Sequence, residues 1–321
     1  LNHSIKSSFA EEDMASIITI PESINIMSKT IGPAIKERDP KPIQKMAIEQ
    51  MEAGGDVQDL NLGPARKAGD EMMAWLVKTV EEVSDLPLAL DTTNTVAIEA
   101  GLKASKRPES CILNSISAQP QSLEDRMPLV KKYGCQFVAL TLSDEGIPRD
   151  VNERGMCAAE IYNKALEYDI PAERMYIDPI VLPVCVDPGQ VASFLEFLPL
   201  IPDFAPGAKS TCGLSNISNG TPTELRQYLN RAYQAMHMYL GIYSSIVDAY
   251  DTEMMALCKG KIPQVEELTK TMMEGGDVDS NNLSTEMQVY YRSIKCLMGE
   301  VLYSHSWIED LVGKYNKNWY K

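Results

Sequence analysis

Four apolar runs in this chain end in the same way, and no other feature restricts the fold as tightly. LALDTTN delivers Asp91, CILNSIS delivers Asn114, YIDPIVLP delivers Asp178, and the approach from Lys209 to Leu214 delivers Asn216. Each reads as a buried strand that carries a polar side chain to its C-terminal end and then turns. Helical patterns separate these runs. Strands joined by helical crossovers lie parallel, and a parallel sheet is covered on both faces. When strand after strand ends in a polar group, the α/β arrangement that gathers those ends is a (β/α)8 TIM barrel with its site at the C-terminal mouth.

The rest of the chain keeps the alternation. Strands are expected at Ile17–Ile20, Asp56–Leu62, Pro87–Asp91, Cys111–Ile116, Gln136–Leu142, Met175–Leu182, Lys209–Asn216 and Ser245–Ala249. Helices are expected at Pro33–Met51, Gly69–Val83, Thr95–Ser105, Leu123–Tyr133, Asn152–Tyr168, Pro188–Leu200 and Thr223–Leu240. Apolar spacing and terminal glycines mark them. The alternation fits into about 240 residues, the length such a barrel takes. From about Ile262 the pattern changes. Val265–Met273 reads as a helix, Gly275–Asn282 as a polar break, and Ser284–Lys314 as one long helix capped by Ser284. Met287, Tyr290, Tyr291, Ile294, Met298, Val301, Leu302, Trp307 and Leu311 form an apolar stripe along it.

Three divisions follow: a polar N-terminal arm or cloning remnant at 1–16 with Met14 as a candidate start, a barrel at 17–261, and a C-terminal helical extension at 262–321. The stripe is expected to pack on barrel helices and to extend a dimer contact. Capping of the mouth is the alternative.

Charge and motifs narrow the chemistry. The net charge is −15 and no Lys/Arg run exceeds two residues, so nucleic acid and anionic membrane are not expected partners. No apolar run approaches a membrane span and no secretory leader is visible. The seven cysteines are scattered without a C-x-x-C pair, which points to reduced, buried thiols in a cytoplasmic protein. G-x-G-x-x-G, G-x-S-x-G and H-E-x-x-H are absent, and no metal is expected. His237 lies in a Met/Ala/Tyr-rich stretch and reads as a histidine at the edge of the core. Asp91 as a helix cap is the bland reading, but Asn94 or Thr95 serves that role better. Carboxylates and amides at strand ends make a poor metal site and no triad. They make a good grip on a heterocycle rich in N–H donors and ring nitrogens, since a carboxylate accepts two donors and an amide both donates and accepts.

The strand ends and their surroundings resemble the methyltetrahydrofolate:corrinoid protein methyltransferases, members of the pterin-binding barrel superfamily. The matching pieces run in order from about Ile17 to Asp251: IPESIN at 20–25, AIKERDP at 34–40, GGDVQDLNLGP at 54–64, AWLV at 74–77, LDTTN at 90–94, LNS at 113–115, LTLSDEGIP at 140–148, YIDP at 176–179 and GLSNIS at 213–218. The resemblance implies methyl transfer between N5 of tetrahydrofolate and the cobalt of a corrinoid (cobalamin) carried by a partner protein, in a homodimer. It implies that Asp91, Asn114 and Asp178 hold the pterin's pyrimidine edge, that Asn216 stands near N5, and that Arg226 belongs to the same site. Glu22, Asn25, Asp59 and Asn61 match further polar positions. Ser23 departs from the family opening, which carries arginine there. The segment from Asn216 to Arg226 is slightly longer than the family pattern, which loosens the match at Arg226. The stretch after about Ile262 has no counterpart in compact members.

Methyl transfer from N5 has a poor leaving group, so a donor there must bond more strongly as the transition state forms. An amide does not release its proton at neutral pH; Asn216 is expected to orient a water or an incoming proton. The nucleophile, by the resemblance, belongs to the corrinoid. Two alternatives stand beside this reading. A dihydropteroate synthase has the same barrel and pterin grip, but carries a Ser-Arg-Lys run where this chain has Ser215-Asn216-Ile217-Ser218. A non-catalytic scaffold that binds a pterin or a corrinoid protein is the other.

Overall fold

The computed structural model describes residues 16–315. The expectations for the N-terminal arm, including a start at Met14, lie outside the described residues, as does the chain after Tyr315. Two short strands open the fold, β1 (Ile18–Pro21) and β2 (Ile24–Asn25), followed by α1 (Ile31–Glu37) and α2 (Pro40–Glu52). Next come β3 (Gln58–Gly63), α3 (Gly69–Glu81), β4 (Leu88–Thr92), α4 (Thr95–Ala104), β5 (Ile112–Ser117), α5 (Pro120–Tyr133), β6 (Gln136–Leu140) and α6 (Val151–Glu167). Then follow β7 (Met175–Asp178), α7 (Pro188–Phe197), α8 (Ile201–Phe204), β8 (Lys209–Ser210), α9 (Thr223–Tyr239), β9 (Ser244–Val247) and α10 (Thr252–Cys258). The extension adds α11 (Pro263–Met273), α12 (Thr285–Leu297) and α13 (Glu309–Tyr315).

Strands β2 to β8 pair in parallel in chain order, and β1 pairs in parallel with β9. β1 and β2 are successive pieces of the first barrel strand. The β1 piece also reaches the chain just before β3, where Asp56 N and Val57 N donate to Thr19 O at 3.0 and 3.2 Å. On the other side Ile246 N donates to Cys212 O at 2.8 Å, and Gly213 bridges Ile246. These bonds close the expected (β/α)8 barrel.

Side chains alternate along a strand. Ile20, Val57, Ala89, Ile112, Val138 and Tyr176 meet in one buried cluster, the barrel interior. Leu60, Leu90, Leu113 and Ile177 belong to the larger core between the strands and the helices. Two positions beyond Val57, Ala89, Ile112 and Tyr176 stand Asp59, Asp91, Asn114 and Asp178. Parity therefore puts these four on the inward face, at the C-terminal end.

Some expectations change. The helix expected at Pro33–Met51 is two helices, because Arg38 adopts a left-handed conformation (φ 59°) and Asp39 caps α2 ahead of Pro40. The strand expected at Lys209–Asn216 ends at Ser210, and Leu214–Ser218 winds into a 3-10 turn that carries Asn216. The long C-terminal helix is broken after Leu297. Gly299 takes φ 74°, and an irregular segment runs on to α13. Val301 and Leu302 thus leave the apolar stripe and are exposed, whereas Tyr290, Ile294, Trp307 and Leu311 stay buried. His237 lies inside the core rather than at its edge, stacked on Phe194 with centroids 4.7 Å apart, and burial lowers its pKa to about 3. Asn94 and Ser284 cap α4 and α12 as expected.

The extension packs on the barrel through α9, which both α11 and α12 contact. Tyr290 Oη donates to Glu253 Oε1 at 2.7 Å, and Glu253 and Asp251 both pair with Arg231 of α9. Trp307 Nε1 donates to Ser293 Oγ at 3.1 Å and fastens the irregular segment to α12.

Candidate active site

Parallel register sets polar side chains in a row at the mouth. Asn25 stands opposite Asn61, Asn61 opposite Asp91, and Asp91 opposite Asn114. Neighbouring strands lie about 4.8 Å apart, so the row spans four adjacent strands at one level. Asp59 sits two residues deeper than Asn61 on the same face of β3. Asp178 ends β7. Glu22 follows β1, fixed by its N–H donating to Val247 O at 3.1 Å. Asn216 and Arg226 lie after β8 and at the start of α9.

Burial sets the electrostatics of this floor. Asp59 is pushed well above the carboxylate range by desolvation and by the nearby charges of Asp91 and Glu22, with the Asn114 side chain opposing this through a hydrogen bond. Its Oδ1 has no hydrogen-bond partner. Burial pushes Asp91 up to about 6 against the pull of Arg126, while Asn61 Nδ2 donates to Asp91 Oδ2. Asp178 is also pushed up to about 6 by burial, although the backbone N–H groups of Ile180 and Gly213 donate to it. Glu22 is raised by burial too, and accepts from Ser215 Oγ. A carboxylate shifts upward when its charged form lacks water and donors. These carboxylates have few donors for the charge they carry and Asp59 Oδ1 has none, and a ring edge bearing N–H groups would supply more.

The turn after β8 is built differently. Asn216 is exposed, and its Nδ2 lies 3.1 Å from where a Cβ on Gly213 would stand, so glycine leaves room for the amide to fold back. Asn219 Nδ2 donates to Asn216 Oδ1 at 3.3 Å. Arg226 donates to Ser215 O at 3.1 Å, Ser218 Oγ at 3.0 Å and Asn219 Oδ1 at 3.0 Å. Its guanidinium is committed to holding this turn. Asn25 is likewise engaged locally, its Oδ1 accepting from Met27 N at 2.8 Å. Among the described residues no group of three or more His, Cys, Asp or Glu is placed to hold a metal ion, and no helix is long and apolar enough to cross a membrane.

The family profile described as pterin binding enzyme matches residues 28–248. This chain belongs to the pterin-binding enzymes. The methylcorrinoid:tetrahydrofolate methyltransferase of Eubacterium limosum is 27% identical to this pterin-binding enzyme over 241 residues, which cover 74% of the chain and 88% of that protein. Methionine synthase of Mycobacterium tuberculosis is 28% identical over 254 residues, 75% of this chain but 21% of that much longer protein. Among solved structures, dihydropteroate synthase from Xanthomonas albilineans in complex with 7,8-dihydropteroate superposes with a TM-score of 0.58 at 16% identity, over 79% of this chain and 95% of that one. The Yersinia pestis enzyme gives 0.56 at 14% identity, over 81% and 95%. These two likenesses are of fold. The resemblance read from the motifs holds.

Two arginines frame the site of this pterin-binding enzyme that the sequence did not single out. Arg126 of α5 donates to Thr93 O at 2.8 Å, to Ser115 O, and to Thr95 Oγ1 at 3.2 Å, tying the loop after β4 to β5. Arg154 of α6 is fully buried and donates to Pro179 O at 2.9 Å, Ile180 O at 3.2 Å, Ser193 Oγ at 2.7 Å and Gln190 Oε1 at 2.6 Å. It pins the turn after Asp178, where Ile180 adopts φ 59°, an uncommon conformation for a β-branched residue. Both arginines sit among polar neighbours in helices, so periodicity alone marks them as surface. Ser215, by contrast, was legible as part of the GLSNIS motif.

Proposed function

We propose that this enzyme moves a methyl group between N5 of tetrahydrofolate and the cobalt of a corrinoid protein. The observation that carries the reading is the set of inward-facing carboxylates Asp59, Asp91 and Asp178 gathered at the strand ends, with the unpartnered Asp59 Oδ1 at its base. A pterin offers N–H and amino donors along its pyrimidine edge. Asp91, Asn114 and Asp178 accept that edge, while Asn25, Asp59 and Asn61 support the row. Similarity to a methylcorrinoid:tetrahydrofolate methyltransferase over most of that protein's length favours this reaction class.

The mechanism asks each group for one task. Pterin donors bond to the ionised carboxylates of Asp91 and Asp178 and hold them in that form as the ring binds. With its Oδ1 taken by Asn219, Asn216 offers its Nδ2–H to N5, where the bond strengthens as the N5–methyl bond breaks and N5 takes a proton from a water that the amide orients. Arg226 keeps that amide in place through Ser215, Ser218 and Asn219. Glu22 and Ser215 form a hydrogen-bonded pair beside it. When bound, the partner's corrinoid supplies the cobalt that exchanges the methyl group.

The dihydropteroate synthase alternative is weaker. The lysine of β8, Lys209, lies at the opposite end of the barrel, bonded to Gln136 Oε1 at 3.2 Å and Tyr176 Oη at 3.3 Å. A homodimer in a reducing cytoplasm is part of the proposal; the free thiols fit such a compartment, and sedimentation equilibrium tests the dimer. The deciding experiment follows methyl transfer spectroscopically in both directions, with methyltetrahydrofolate plus reduced free cobalamin and with methylcobalamin plus tetrahydrofolate. Pterin binding without transfer in either direction would favour the scaffold reading. Turnover of a pterin pyrophosphate would favour the synthase.

A further inference from the structure

We propose that residues 299–308 of the extension form a strut that holds the Asn216 turn in its working position, with Tyr303 as a positioning residue acting through Thr221. This rests on the role given to Asn216 above. Tyr303 Oη lies 2.7 Å from Thr221 Oγ1. Thr221 is buried and closes the turn: its N–H donates to Ser218 O at 3.1 Å, and Asn219 N–H donates to Asn216 O at 3.2 Å. From Asn219 the path ends at the amide itself, through the 3.3 Å bond to Asn216 Oδ1.

The strut has a firm base. Tyr303 packs on Trp307 with centroids 5.6 Å apart, Trp307 bonds Ser293 of α12, and α12 is tied to the barrel through Tyr290 and Glu253. The extension does not blanket the turn. An open cleft of about 480 Å³, lined by Pro222, Glu224, Leu225, His305, Ser306 and Glu309, separates it from the start of α9. The hydrogen bond from this segment to the turn comes from Tyr303. Arg226 clamps the turn from α9 and Tyr303 braces it from the extension. Asn216 and Asn219 are both exposed, so their mutual bond competes with water, and the brace favours the turn in which it forms.

The test uses the full chain. Tyr303→Phe keeps the ring and removes the hydroxyl. It should lower kcat for methyl transfer about three- to tenfold, the worth of one hydrogen bond, and leave KM for methyltetrahydrofolate within about twofold. Hydrogen exchange at the Asn219 and Thr221 amides should quicken by a similar factor. Thr221→Val should reproduce these effects, and the double variant should lose no more than either single one. Leu302→Ala, 90% exposed in the native chain, should behave as wild type. Wild-type kcat and exchange in Tyr303→Phe overturn the strut, and so do multiplying losses in the double variant. If the wild-type protein transfers no methyl group, the proposed function fails while the exchange measurement still decides the strut.

Discussion

Replacing Asp178 with asparagine should make the empty enzyme more stable at neutral pH and worse at holding a pterin. Burial raises the Asp178 pKa from 3.8 to about 6. Between those two values native Asp178 keeps a proton that the unfolded chain has lost, so the native state binds more protons and wild-type stability falls as pH rises. The advantage is complete below 3.8 and gone above about 6. The full span corresponds to about 3 kcal/mol. Asparagine stands in for the neutral acid and can still accept from the Ile180 and Gly213 amides, but its buried NH2 costs about 1–2 kcal/mol if it finds no acceptor. The expected net gain at pH 7.5 is therefore about 1–2 kcal/mol.

The pH dependence is the sharper signal. The stability difference between variant and wild type should change by about 2.5 kcal/mol between pH 4 and 7.5, while Glu22, Asp59 and Asp91 titrate in both proteins and largely cancel. Urea unfolding across that range measures it. Calorimetric titration with methyltetrahydrofolate should show roughly a ten- to hundredfold weaker affinity, since a carboxylate accepting two donors becomes an amide with one acceptor oxygen. A stability difference that does not move with pH would refute the electrostatic argument, and unchanged affinity would take Asp178 out of the site.

Other outcomes follow from the same geometry. Asn216→Ala should lower methyl transfer about ten- to a thousandfold while pterin affinity changes little, because the lost bond matters most in the transition state; equal losses in rate and affinity would make Asn216 a simple binding residue. Arg226→Ala should loosen the turn and reduce kcat more than Tyr303→Phe does, since it removes bonds to Ser215, Ser218 and Asn219 together; a wild-type rate would show that the turn holds itself. Pterin affinity of the wild-type enzyme should fall as pH drops below about 6, where Asp91 and Asp178 take up protons and stop accepting two donors; a flat calorimetric profile from pH 7.5 to 5 would contradict this. A chain ended at Lys261 should aggregate, because it uncovers α9, against which Val289, Tyr290, Ile294 and Leu297 help complete the core; a well-folded, soluble product would show that the barrel needs no extension.

The parity of the strands was legible in the sequence, and it reached the site. LALD, CILN and YID each place a polar residue two positions beyond an inward-facing one, and this pattern is local: a strand's side chains alternate whatever its neighbours are. Helix starts marked by Asn94 and Ser284 were legible for the same reason, since a cap bonds only its own first turn. The break at Arg38 and the end of α12 before Gly299 were not, because an apolar spacing shorter than two turns continues plausibly across them.

What only the tertiary structure decided depends on groups distant in the chain. Sequence placed Arg226 in the site; the fold shows its guanidinium spent on the turn that carries Asn216. Arg126 and Arg154 lie on helices where nothing local singles them out, yet each satisfies backbone carbonyls that no local pattern couples to it. The pKa of Asp59 depends on Asp91 and Glu22, which other strands bring alongside it. Tyr303 meets Thr221 across 82 residues. Alternation along a strand is a property of the backbone and is written in the chain. The partner of a charge or a hydroxyl is settled only when the barrel closes and water is excluded from the space between them.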